Sequence, residues 1–238
     1  MITIRKSQDR GSFDHGWLKT FHTFSFAQYY DPDFTGYSVL RVINEDKIRG
    51  GAGFPMHSHK DMEIITYVVE GALEHKDSMG HSAVIRPSEV QRMTAGAGVR
   101  HSEFNHLKDK DTHLLQIWLV PNENSLEPGY EQKNFSRANE SLFLIASLDG
   151  REGSVTIHQD ANVYVGRCSD RTVAHKFLLP LLASRHGWLQ IIAGEIKVMG
   201  DDGNMTVAHS GDGIAIEQES KVIAECSRGS HFLFFDLP

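Results

Sequence analysis

The sequence predicts an all-β protein made of two tandem antiparallel β-barrel (jelly-roll) domains with few short helices. Three observations carry this expectation. Short runs rich in Val, Ile, Phe and Tyr recur along the chain. Clusters of Gly, Asp, Asn and Ser separate them, which is turn chemistry. The two halves also share an apolar rhythm at a fixed offset of 123 positions, as from Gly71 to Gly194.

The strand-like runs are SVLRVI, EIITYVV, HLLQIWLV, LFLIA, WLQIIAG, EIKVM, GIAIE, KVIAE and HFLFFDL. Segments such as KDSMGHS and GDDGNM read as turns between them. A short helix is expected near SRHGW or within RANES. At the offset, Gly80 falls on Gly203, Glu74 on Lys197 and Glu89 on Asp212, and ITYVVEGALEH faces LQIIAGEIKVM. Apolar periodicity vanishes in PNENSLEPGYEQKNFSRANES, so the join is expected near residue 130, giving domains 1–130 and 131–238.

Bulk composition narrows the function classes. The 238 residues are enough to bury sizeable cores, and no stretch approaches the roughly 18 unbroken apolar residues of a membrane span. A formal charge of −7 without a Lys/Arg cluster argues against a broad phosphate-binding surface, so direct nucleic-acid binding is not expected. Two cysteines, Cys168 and Cys226, with no CxxC pair argue against a disulfide framework or a cysteine zinc site. The first residues contain no apolar stretch typical of a secretory signal. A soluble, cytoplasmic protein is expected.

Histidine is the unusual component, with 14 copies. Side chains two apart on a strand share a face, so His57 and His59 in HSH look into one space, and His101 and Glu103 in HSE do the same. If both strands line one barrel, three imidazoles and a carboxylate converge. Glu63 is a rival carboxylate, since parity leaves it facing inward as well. Asp61 and Glu63 are otherwise neighbours of the site or strand-end acids. His22 and His106 have some claim to the pocket; the other histidines read as surface or structural. At the 123 offset, His57, His59, His101 and Glu103 fall on Pro180, Leu182, Ala224 and Cys226, so the second domain is expected to carry no metal.

The spacing Gly51, His57, His59, Glu63, Gly71 resembles the first cupin motif, with its last glycine one residue late. Gly98, His101 and Asn105 resemble the second, with Gly96 where proline is usual. MTAGAGVRHSEFN, together with HGWLKTFHTFSFAQYYDP, LRVINEDKI, HKDMEIITYVVEG and LQIWLVP, is similar to the pirin family, whose bacterial members include flavonol-degrading proteins. The likeness is dense over residues 14–133 and thin beyond.

This resemblance implies a bicupin with one divalent metal bound by His57, His59, His101 and Glu103. The three-imidazole, one-carboxylate set suits Fe(II), Mn, Co, Ni, Cu or Zn, and the family implies Fe(II) first. It further implies oxygenolytic opening of a flavonol such as quercetin with release of carbon monoxide, Glu103 or a bound hydroxide taking the proton of the 3-hydroxyl. Phe24, Phe26, Tyr29 and Trp118 are candidates to hold the flat substrate. Two other readings remain open: an iron-containing regulator acting through a protein partner, and a non-redox zinc cupin. A monomer is expected because each barrel supplies the other a covering face.

Overall fold

The computed structural model describes residues 1–136, 142–168 and 175–238. Among them the strands are β1 (Ile2–Arg5), β2 (Gly11–Asp14), β3 (Leu18–His22), β4 (Leu40–Ile48), β5 (Gly53–His59), β6 (Glu63–Glu70), β7 (Leu73–Asp77), β8 (Ser82–Ile85), β9 (Glu89–Thr94), β10 (Val99–Asn105), β11 (Thr112–Leu119) and β12 (Gly129–Asn134). There follow β13 (Leu142–Ser147), β14 (Val155–Thr156), β15 (Asn162–Arg167), β16 (His175–Leu178), β17 (His186–Ala193), β18 (Glu195–Met199), β19 (Met205–His209), β20 (Gly213–Glu217), β21 (Ile223–Cys226) and β22 (His231–Leu237). No helix among the described residues is long and apolar enough to cross a membrane.

The only helical turns described are 3₁₀ pieces at Ser7–Asp9 and Arg151–Gly153. Residues 184–188 (SRHGW) instead turn into β17, where Trp188 is buried and pairs with Ala215 and Phe235; tertiary pairing overrides a weak local preference. RANES lies outside the described residues.

The chain forms two compact units, and they are not a single cut of it. One comprises residues 10–137 and 148–159; the other comprises residues 1–9, 138–147 and 160–238. In the first, a sheet ordered β12-β9-β6-β11-β4-β3-β2 stands with a four-stranded sheet ordered β5-β10-β7-β8, all pairings antiparallel. Two sheets with non-consecutive neighbours form a jelly roll, as expected, and they do not close into one continuous barrel. Leu18, Ile48, Val68 and Leu114 from the large sheet meet Leu73 and Ile85 from the small one in one apolar cluster. Ile64, Met93, Ala95 and Val99 form a second. Burial of such side chains stabilises the unit by roughly 1.5–3 kcal/mol each as an upper bound.

The other unit repeats the plan, with β1-β20-β17-β22-β15-β13 in one sheet and β16-β21-β18-β19 in the other. Its core is continuous and apolar, from Leu189 and Ile214 to Ala224, Cys226 and Phe234. The repeat is visible in backbone geometry. Gly71 between β6 and β7 has φ +88°, and Gly194 between β17 and β18 has φ +85°. A Cβ on the first would meet Thr112 Oγ1 at 2.4 Å, and on the second Ser230 Oγ at 2.5 Å. Both turns therefore require glycine for conformation and for space.

Candidate metal centre

β5 and β10 run side by side with His101 opposite His57 and Val99 opposite His59. The ring centroids of His57 and His101 lie 4.4 Å apart, those of His57 and His59 4.8 Å, and those of His59 and His101 4.9 Å. One nitrogen from each ring falls within 4.8 Å of those of the other two, a spacing one cation can span. Glu103, inward on β10, is buried nearby and accepts a hydrogen bond from Gln116 Nε2 at 2.7 Å.

The rings are prepared to bind a cation. His57 Nδ1 lies 2.8 Å from the Pro55 carbonyl, so it carries the proton and leaves Nε2 free. His101 Nε2 is buried and has no hydrogen-bond partner. Burial and the neighbouring His57 hold the His59 pKa down at about 4, and burial with three neighbouring imidazoles holds His101 at about 2. Both rings are thus neutral, the form that ligates metal. Burial, reinforced by Asp46, lifts the Glu103 carboxyl to about 7 against the opposing Gln116 hydrogen bond. An orphaned buried nitrogen facing two further imidazoles and a carboxyl fits a divalent transition-metal ion.

Behind His101 stands β7. Its inward residues are His75 and Asp77, which pair in register with Glu103 and His101. His75 Nδ1 lies 3.4 Å from His101 Nδ1, and His75 Nε2 lies 3.3 Å from Asp77 Oδ2. Asp77 also receives His81 Nδ1 at 3.0 Å. Tyr130 packs over both His75 and His81. His75 is fully buried and structural, as expected of it, yet it belongs to this centre; alone in the sequence it gave no signal.

A cavity of about 220 Å³ opens beside the cluster, lined by Phe26, Asn44, Asp46, Phe54, His57, His59, Ile64, His101, Glu103, Gln116 and Trp118. Trp118 meets His59 edge-on at 4.8 Å and Phe26 at 5.3 Å. Of the expected aromatic residues, Phe26 and Trp118 are in its wall. Phe24 is buried in the core, and Tyr29 lies over Gly11, whose added Cβ would strike its ring at 2.5 Å.

Phe54 enters the wall through a register shift between β10 and β5 at His101/Glu103, where Phe54 pairs with Glu103. The extra residue sits around Pro55, which has no N–H to lose from the ladder, and it inverts the strand's parity. Sequence alternation therefore could not place Phe54 beside His57. Asn44 and Asp46 had a readable signal: they interrupt the inward row Val42, Ile48 of β4.

Glu63 does not line the cavity. Between His59 and β6, Asp61 takes φ +50° with its Oδ1 receiving the Ser125 N–H at 2.6 Å, and strand parity is lost across this turn. Ile64 faces the cavity, and Glu63 points to the opposite face, where its carboxylate accepts the His158 N–H at 3.3 Å and lies 3.4 Å from His158 Nδ1. Nor do His22 and His106 reach it. His22 borders a separate cavity with Phe13, His15, Ala27 and Gln28, and half-exposed His106 pairs with Glu74. In the other unit, the offset places buried Ala224 and Cys226 where His101 and Glu103 stand, and the described residues there hold no comparable cluster.

Two jelly-roll units, one with a histidine metal centre beside an aromatic-walled cavity, define a metal-binding bicupin. Residues 3–119 match the family model for pirin, and residues 144–237 match that for the quercetinase C-terminal cupin domain. The chain belongs to the pirin family. It is 44% identical to the quercetin 2,3-dioxygenase of Escherichia coli K12 over 100% of this chain and 99% of that one. It is 41% identical to a putative quercetin 2,3-dioxygenase of Pasteurella multocida over the whole of both. The crystal structure of the E. coli bacterial pirin YhhW in complex with nickel(II) aligns with a TM-score of 0.92 at 43% identity, covering 100% of this chain and 99% of that one.

Proposed function

We propose that this protein is a metal-dependent dioxygenase of the quercetin 2,3-dioxygenase type that opens flavonols using dioxygen. In this reading His57, His59, His101 and Glu103 hold the ion in the N-terminal domain, and the C-terminal domain carries no ligands. The convergence of three imidazoles and a buried carboxyl on a cavity walled by Phe26, Phe54 and Trp118 is the observation that carries it. Fe(II) is the proposed ion; the nickel(II) complex of a relative supports a divalent occupant. A soluble cytoplasmic monomer acting on a small aromatic substrate completes the reading.

A divalent ion would supply acidification of a bound hydroxyl and a common point of attachment for both reactants. The protein's own groups do the rest. Trp118, Phe26 and Phe54 offer apolar surfaces for a flat ring system and exclude water from it. The Glu103 carboxyl, lifted to about 7 by burial, is poised to take a hydroxyl proton near neutrality. Gln116, bonded to Glu103, holds that carboxyl in place.

Dioxygen uptake by the Fe(II)-reconstituted protein with quercetin tests this. Uptake should require iron and be lost in His101→Ala and Glu103→Ala, while His186→Ala should behave as the parent. Iron binding without oxygen consumption would remove the flavonol chemistry and move the reading to a regulatory or non-redox role.

A further inference from the structure

Asn44 and Asp46 lie two apart on β4 and line the same cavity as the metal centre. Both side chains are more than nine-tenths buried, and Asn44 Oδ1 and Asp46 Oδ1 have no hydrogen-bond partner. The neighbours cannot satisfy them. Gln116, which pairs with Asn44 across β4 and β11, directs its amide to Glu103 instead. Thr20, paired with Asp46 across β3, bonds the Asp46 carboxyl but leaves Oδ1 open. Val42, which precedes them on the same face, is apolar. Two buried acceptors side by side in a cavity wall are costly unless a donor arrives from the cavity itself.

We propose that Asn44 and Asp46 form a hydroxyl-recognition subsite, so that the cavity selects aromatic substrates with hydroxyl groups beyond the one at the metal. Each O–H donates to one open acceptor, while the ring faces lie against Phe26, Phe54 and Trp118. The inference rests on the flavonol reading of this cavity and adds the determinant of substrate choice. A ligand lacking those hydroxyls leaves both acceptors unpaired and is rejected, which is how buried polar groups discriminate between otherwise similar shapes.

The test is calorimetric titration of the nickel(II)-loaded protein with quercetin, galangin and 3-hydroxyflavone, which share the 3-hydroxyl and differ in the others. Either polyhydroxylated compound should bind at least about tenfold tighter than 3-hydroxyflavone. In Asn44→Leu and Asp46→Leu that preference should shrink to within about twofold. Asn44→Leu decides the matter alone if Asp46→Leu does not fold. Equal binding of all three compounds by the parent, or an undiminished preference in Asn44→Leu, would overturn the subsite and leave the flavonol reading standing. Binding of none of them would overturn both.

Discussion

His101 Nδ1 and His75 Nδ1 stand 3.4 Å apart, diagonal neighbours on β10 and β7. Only one of two facing nitrogens can carry a proton. Asp77 accepts from His75 Nε2, which assigns that proton and leaves His75 Nδ1 as the acceptor. His101 therefore carries its proton on Nδ1 and turns the lone pair of Nε2 to the cavity. A carboxylate thus fixes the tautomer of a metal-facing histidine through a second imidazole. Asp77→Asn and His75→Phe should weaken nickel(II) or iron(II) affinity by about 10–100-fold in a chelator competition assay. His81→Ala, at the exposed end of the chain, should change it less than about threefold.

Glu63 provides the opposite control. Its carboxylate serves His158 on the far face of β6, so Glu63→Gln should leave metal affinity unaltered. Glu63→Leu strands the His158 N–H and should lower unfolding free energy by about 1–3 kcal/mol in a denaturant titration. A loss of metal binding in Glu63→Gln would contradict the geometry described above.

Acid stability should depend on Glu45. Burial pushes its pKa up, but the hydrogen bond and charge of His113 and those of Arg10 outweigh this and hold it at about 2. The contacts are 2.9 Å to His113 Nε2 and 2.8 Å to Arg10 Nη1. A depressed carboxylate stabilises the fold above its unfolded pKa of 4.5 and loses that contribution as pH falls toward 2. The shift is worth on the order of 3 kcal/mol. Melting curves between pH 5 and 2 should accordingly be flatter for Glu45→Gln than for the parent.

Removing the metal should lower the melting temperature of the metal-loaded protein, since an ion that binds only the folded state stabilises it by mass action. Differential scanning before and after chelation measures this. The drop should vanish in His101→Ala.

The strand content, the internal repeat and the pairs His57/His59 and His101/Glu103 were legible because they follow the two-residue period of a strand. Legibility ended wherever that period broke. The turn at Asp61 put Glu63 on the other face, and the shift near Pro55 brought Phe54 inward. Partners from other strands, such as His75 behind His101 or Gln116 beside Glu103, are set by register between distant segments, which no local pattern encodes. The membership of residues 1–9 in the unit dominated by the C-terminal half is of the same kind.

That last feature bears on how the molecule is made. β1 leaves the ribosome long before its register partners, Gly213 to Ile216 of β20, are made. Until they meet, the apolar, alternating segment GIAIE has one unpaired edge, the kind of template that recruits another chain. β1 acts as a guard that can take its post only once β20 has been made. Removing β1 should therefore be felt as aggregation through β20, far along the chain from the alteration.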